Sequence, residues 1–168
     1  IDPGLNIVVL ESEIAGFGAS GRNGGWCSAL FPRSAASLER AHGRAAALAL
    51  RRAMVETVDE VARAAASAGL DIDYSKGGTV AYARSAAHLA SARAEVAEAA
   101  EYGGDALELW GPERLGAAGA LGAVYDPACA RIHPAKLVRG LARALEKRGV
   151  TIFEYTRVTD WAAGRVRT

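Results

Sequence analysis

The chain has 168 residues, about one domain's worth, and at 51% hydrophobic and 23% charged it has the means to bury a core and is not disordered. Twenty basic residues against 19 acidic leave a formal net charge of +1, which excludes a strongly basic nucleic-acid binder and an acidic tail protein. Cys27 and Cys129 are too few for a disulfide framework, no apolar run reaches the roughly 18–20 residues of a membrane span, and no signal peptide is visible; the expectation is a reducing, cytoplasmic setting.

The elements follow in chain order. Asn6 to Glu11 is a short apolar run, read as a strand buried on both faces of a parallel sheet. The first residue is Ile1 and lies just before that strand, so the chain is expected to be an internal fragment, truncated at both ends. Residues 14–25 hold five glycines in twelve positions, a loop that turns through positive φ or comes close to something. A long helix is expected over about 38–68, with Leu50, Met54, Val58, Val61 and Ala65 inward, a break at Gly43 and a stop at Gly69. Residues 71–74 and 78–83 read as a hairpin joined by Ser75-Lys76-Gly77. Ser85 caps a helix to about Tyr102, closed by Gly103-Gly104. Residues 107–110 form a strand, 111–113 start a helical turn, and 121–127 are a loop or edge strand. The clearest helix is 134–148, with Pro134 at its first position and a stripe of Leu137, Leu141 and Leu145. Residues 150–158 are a strand, and 160–168 a small hairpin around Ala163-Gly164. Parallel βα elements thus flank an antiparallel insertion, which makes the fold class α/β.

Glu11 carries the first chemical signal. It ends a parallel strand, the edge where open α/β sheets bind ligands. A carboxylate there accepts hydrogen bonds from the vicinal hydroxyls of a ribose and repels a 2′-phosphate. Backbone amides of the glycine loop are placed to meet a pyrophosphate, with Ser20, Arg22 and Asn23 adding donors. The loop is not a P-loop, because no Gly-Lys-Ser/Thr follows. The dinucleotide fingerprint precedes its ribose acid by about 20 residues, which here falls before Ile1. His42, His88 and His133 lack metal-ligand spacing; His88 reads as solvated and His133 as a cap or packing residue. Cys27 reads as a free buried thiol and Cys129 as a loop thiol.

Val8-Val9-Leu10-Glu11 followed by Gly18-Ala19-Ser20-Gly21-Arg22-Asn23-Gly24-Gly25 resembles the D-amino-acid-oxidase-like FAD-dependent oxidoreductases. The nearest flavour is the glycine, sarcosine and γ-glutamylputrescine oxidase branch. Asp126-Pro127 and Ile132-His133-Pro134-Ala135-Lys136-Leu137-Val138-Arg139-Gly140-Leu141 resemble the segment that returns from that family's substrate subdomain. The resemblance implies a Rossmann-like FAD/NAD(P)-binding parallel sheet with an inserted antiparallel α+β substrate subdomain. Residues 1–70 and 131–168 would belong to the FAD-binding domain and 71–130 to the substrate subdomain. It implies FAD as cofactor, with Glu11 on the adenosine ribose and Ser12 beside it. Ala19 and Ser20 would line the pyrophosphate, Gly24, Gly25 and Trp26 the ribityl chain and flavin edge, and Val158 the adenine.

The activity implied is oxidation of a small amine or amino acid. A hydride passes to the flavin, the imine is hydrolysed, and O2 or another acceptor takes the electrons. The resemblance places no catalytic residue in this chain, and no metal, nucleic acid or membrane is expected as a partner. Two other readings stay open. One is a flavin- or nucleotide-binding module of an RNA-modifying or electron-transfer protein, against which the near-neutral charge speaks. The other is an NAD-dependent dehydrogenase, disfavoured by the extended glycine loop.

Overall fold

The computed structural model describes residues 4–103, 106–116 and 119–168. In chain order the elements are β1 (Val8–Leu10), α1 (Ala19–Arg22), β2 (Trp26–Ser28), α2 (Ala35–His42), α3 (Arg44–Ser67), β3 (Ser75–Lys76), β4 (Thr79–Ala83), α4 (Ala86–Tyr102) and β5 (Glu108–Trp110). A 3-10 turn (Pro112–Arg114), β6 (Gly122–Asp126), β7 (Cys129–Arg131), α5 (Pro134–Glu146), β8 (Thr151–Phe153), β9 (Asp160–Ala162) and β10 (Arg165–Arg167) follow. Gly104 lies outside the described residues. The chain forms two compact units, one from described residues of 1–25, 64–74 and 132–168, the other from those of 26–63 and 75–131. Residues 26–63 group with 75–131 in the second unit, and 64–74 with 132–168 in the first.

In the first unit β1 and β8 pair in parallel, from Val8↔Thr151 to Leu10↔Phe153. β8 is the only ladder partner of β1 among the described residues, so Val8 and Val9 are exposed rather than buried on both faces. β9 and β10 form the expected antiparallel hairpin. α5 packs on β8 and α1. It turns Gly140 inward against Leu70 and leaves Leu141 and Leu145 exposed, so the leucine stripe is not its buried line. The strand expected over 150–158 ends at Phe153, beyond which Tyr155 takes a left-handed φ of 52°.

The second unit is built on two three-stranded antiparallel sheets, ordered β2-β7-β3 and β4-β6-β5. The hairpin expected between 71–74 and 78–83 is absent: 71–74 forms no strand, and β3 falls on the expected turn. β3 pairs with β7 and β4 with β6, so 75–83 runs alongside 122–131. The bend between β6 and β7 is fixed by the Asp126 side chain, whose Oδ1 accepts the Ala128 N–H at 2.7 Å. β6 is therefore a central strand, not an edge, and its Ala123 and Val124 are buried. Cys129 is buried in β7 rather than on a loop.

The expected long helix is two, α2 and α3, divided at Gly43. α2 is joined to the end of α4 through polar groups. The Tyr102 hydroxyl donates to Glu39 at 2.5 Å, and the Arg44 guanidinium lies 4.8 Å from the Tyr102 ring centre. Most of this core is small: Ala35, Leu38, Ala47, Val58, Ala92 and Ala99 are buried. Small side chains let helices approach closely but remove little apolar area from water, so each cap matters more. Ser85 Oγ accepts the His88 N–H at 3.2 Å at the start of α4. Ser85→Ala is expected to lower stability by about 1 kcal/mol, read as a lower urea midpoint at unchanged slope.

Candidate cofactor site

β1 delivers Glu11 at its carboxyl end, where one further ladder bond follows the strand and the pairing then slips by one residue. Glu11 N–H donates to the Phe153 carbonyl at 2.9 Å, and the Glu11 carbonyl accepts from Thr156 N–H at 2.8 Å. One carboxylate oxygen, Oε1, accepts the Glu13 N–H at 2.9 Å. That bond fixes the carboxylate's direction and leaves Oε2 and further lone pairs for a ligand. Ser12 follows in the same half-buried turn.

The glycine loop then folds back on α5. Gly16 has φ +88°, and a Cβ there would collide with Val138 of α5. Gly25 has φ +75° and is buried, and its Cβ position is taken by the Ile132 carbonyl. The Ile132 N–H donates to the Gly25 carbonyl at 2.9 Å, so loop and α5 lead-in are laced directly together. His133 caps α5, its Nδ1 accepting the Lys136 N–H at 3.3 Å, as expected of a capping histidine.

Gly18, Ala19, Ser20 and Gly24 are exposed, and nothing lies within 4 Å of a Cβ built at Gly18 or Gly24. Of the two further donors expected, Asn23 is bonded within the chain, while Arg22 is placed by a ring contact that does not use its N–H groups. Arg22 stacks on Phe17 at 4.1 Å from the ring centre. Asn23 Nδ2 donates to the Ala19 and Ser20 carbonyls, and its Oδ1 accepts the Gly25 N–H at 2.9 Å. Asn23 thus closes α1 and sets the turn into Gly25. Val158 is exposed ahead of the β9–β10 hairpin. In the second unit Trp26 begins β2 opposite Arg131 and is 70% exposed. Burial raises the Cys27 thiol pKa, with Asp59 adding to the effect, so it stays a thiol and a poor nucleophile.

A recess of about 200 Å³ in the second unit, lined in part by Phe31, Leu38, Met54 and Arg51, includes none of these residues. Neither does a crevice of about 390 Å³ between the end of α3 and α5, lined in part by Leu70, Arg143 and Lys147. The predicted residues of the first unit line neither of these and lie at the end of β1, in the glycine loop that follows it and after β8.

A family model described as FAD dependent oxidoreductase matches residues 2–168. The chain belongs to that family. It is 31% identical over 163 residues to γ-glutamylputrescine oxidoreductase of Escherichia coli strain K12, covering 95% of this chain and 38% of that protein. Glycine oxidase from Geobacillus kaustophilus superimposes with a TM-score of 0.73 at 22% identity, over 95% of this chain and 43% of its own. L-amino acid deaminase from Proteus vulgaris does so at 0.67 and 18%, over 97% and 37%. The chain therefore spans about two-fifths of the length of these proteins.

The residues present fit the family's cofactor. FAD offers ribose hydroxyls and a pyrophosphate. Glu11 has free acceptor capacity at a parallel strand end, and the loop after it exposes backbone at Gly18, Ala19 and Gly24 with a hydroxyl at Ser20.

Two residues that bind this site together had not been expected. Glu154 Oε1 accepts the Ala15 N–H at 2.9 Å and pairs with Arg139 Nη1 at 2.5 Å. The only signal in the sequence was an acid inside the run Thr151-Ile152-Phe153-Glu154-Tyr155. The Ala15 N–H, and then Arg139, hold the Glu154 carboxyl below the usual carboxylate range. A carboxyl depressed in the folded state contributes stability that is present above its unfolded pKa of about 4.3 and lost as pH falls through the folded value. Glu154→Gln is expected to reduce stability at neutral pH and flatten the acid limb below about pH 4.3; superimposable limbs would remove this role.

Gly25→Ala is expected to destabilise by at least about 1–2 kcal/mol, the left-handed penalty alone, before the collision with Ile132 is added. Gly24→Ala, with open space around it, should stay within about 0.5 kcal/mol of the parent. Thermal melts of the two variants side by side check this contrast.

Proposed function

We propose that this chain is the adenosine- and pyrophosphate-binding part of an FAD-dependent oxidoreductase acting on an amine or amino acid. The observation that carries the reading is the Glu11 carboxylate, oriented by Glu13 N–H at a parallel strand end, with the exposed backbone of Gly18–Ser20 following it. Family membership supports it. So do the amino compounds named for the similar proteins: γ-glutamylputrescine, glycine and L-amino acids.

In this reading Glu11 accepts the adenosine ribose hydroxyls through its remaining lone pairs, and Ser12 lies beside it. Ala19 and Ser20 meet the pyrophosphate with backbone N–H and hydroxyl. Arg22 and Asn23 shape the loop that does so. Gly24 and Gly25 face the ribityl chain, Trp26 the flavin edge and Val158 the adenine. When bound, the flavin supplies the two-electron oxidation of the carbon–nitrogen bond and its reoxidation by O2 or another acceptor. The chain's own work is to hold and orient that group, and no residue of it is assigned to the chemical step. The substrate is a small molecule. No helix among the described residues is long and apolar enough to cross a membrane. Both cysteines are free, which fits a reducing, cytoplasmic compartment.

The test uses the full natural protein. Glu11→Ala should weaken FAD binding about ten- to a hundredfold, from loss of charge-assisted hydrogen bonds of about 1.5–3 kcal/mol, and Glu11→Asp should recover part of it. Gly24→Val, at a position where a Cβ meets nothing within 4 Å, should lower flavin content and amine-dependent peroxide release together. Flavin absorbance per chain and peroxide release with a panel of secondary amines and amino acids are the measurements. Unchanged flavin content in both variants would reject the reading.

A further inference from the structure

Glu154 ties three segments of the first unit together. It is the residue after β8, level with Glu11 in the parallel register that ends at Leu10↔Phe153. The ladder ends with Glu11 N–H on the Phe153 carbonyl, and the bonds that follow, Thr156 N–H to the Glu11 carbonyl at 2.8 Å and Tyr155 N–H to the Glu13 carbonyl at 2.7 Å, leave that register while keeping the two segments side by side. The Glu154 side chain adds two more links through one oxygen. Oε1 takes the Ala15 N–H at 2.9 Å and Arg139 Nη1 at 2.5 Å. One carboxylate therefore joins the end of β8, the turn that leads from Glu11 into the glycine loop, and α5.

Contacts beside it extend the connection. Val138, the neighbour of Arg139, occupies the space a Cβ at Gly16 would need. The Gly16 carbonyl does the same to Gly21 of α1. The line of contact runs from α5 through Ala15 and Gly16 to α1, which carries Ala19 and Ser20. As an ion pair with side chains 42% and 31% exposed, Arg139–Glu154 adds little stability by itself. What is particular to it is the backbone N–H it also holds, on the one turn that separates Glu11 from α1.

We infer that Glu154 is a positioning residue for the dinucleotide: it sets the separation between Glu11 and α1 without touching the ligand. This rests on the reading that Glu11 and the glycine loop hold FAD. The ribose and pyrophosphate of FAD are covalently linked at a fixed span, so both anchors must be held at that span. When the turn is loose, binding has to order it, and affinity falls by that cost.

The experiment compares Glu154→Ala, Glu154→Gln, Glu11→Ala and Ser85→Ala in the full natural protein. FAD affinity of the apoprotein is read by flavin fluorescence, and amide hydrogen exchange over residues 12–22 is read without FAD. Glu154→Ala should weaken FAD binding about tenfold, as loss of a hydrogen bond to a charged group does, and speed exchange over 12–22. Glu154→Gln keeps an acceptor for Ala15 N–H without the charge and should fall between. Ser85→Ala lowers overall stability in the other unit and should leave FAD affinity unchanged. If Glu154→Ala binds FAD as the parent does while Glu11→Ala loses it, the positioning role is overturned and the flavin reading stands. Parent-like binding in both variants overturns the flavin reading itself, and the inference with it. Equal loss in Ser85→Ala makes Glu154 a general stabiliser and also overturns the inference. Should Glu154→Ala not fold, Glu154→Gln and the exchange rates carry the same decision.

Discussion

α5 and its lead-in lie directly on the glycine loop because the loop's residues at the contact have no Cβ. Val138 fills the place of a side chain at Gly16, and the Ile132 carbonyl fills it at Gly25. These contacts join residues more than a hundred positions apart and bring the loop back beside the strand pair that carries Glu11. Packing of this kind is all-or-none: an added methyl at either position must displace backbone or a helix side chain. The glycines therefore serve first to let protein meet protein. Gly18 and Gly24, with open space around them, are the positions whose missing side chain is free to serve a ligand.

Polar groups set what packing leaves undecided. Asn23 spends its whole amide on α1 and Gly25, so the loop's shape is carried by a side chain that looked like a ligand donor. Glu154 spends a carboxylate on Ala15 and Arg139. Each uses a side chain to satisfy or fix backbone in a segment too irregular for its own ladder, as backbone polar groups require. The site is thus a strand end and a short loop, each held by partners distant in sequence.

The second unit follows a different economy. Its two small sheets share one bent pair of segments, 75–83 beside 122–131, turned by the Asp126 side chain. Its helices pack through alanines and are fastened at their ends by Glu39, Arg44 and Tyr102. Trp110 stacks on Tyr125 at 4.6 Å, with Arg114 over the indole, extending the β4-β6-β5 sheet by an aromatic and cationic patch. The order of these strands is non-local and has no local signature.

The sequence by itself determined the elements whose cause is local. α5 announces itself with Pro134, α4 with Ser85, the break between α2 and α3 with Gly43, and the last hairpin with Ala163-Gly164, because caps, breakers and turns act within a few residues. The run from Val8 to Gly25 pointed to a dinucleotide-binding family for the same reason: strand, acid and glycine loop are contiguous. Tertiary structure alone decided the partners. It placed 75–83 on two different strands, made β6 central, turned Gly140 inward in place of Leu141 and Leu145, and brought Glu154 and Arg139 to Ala15. A strand's neighbour and a carboxylate's cation are chosen by chain segments far away in sequence. Periodicity, which reports only what repeats along one segment, carries no record of that choice.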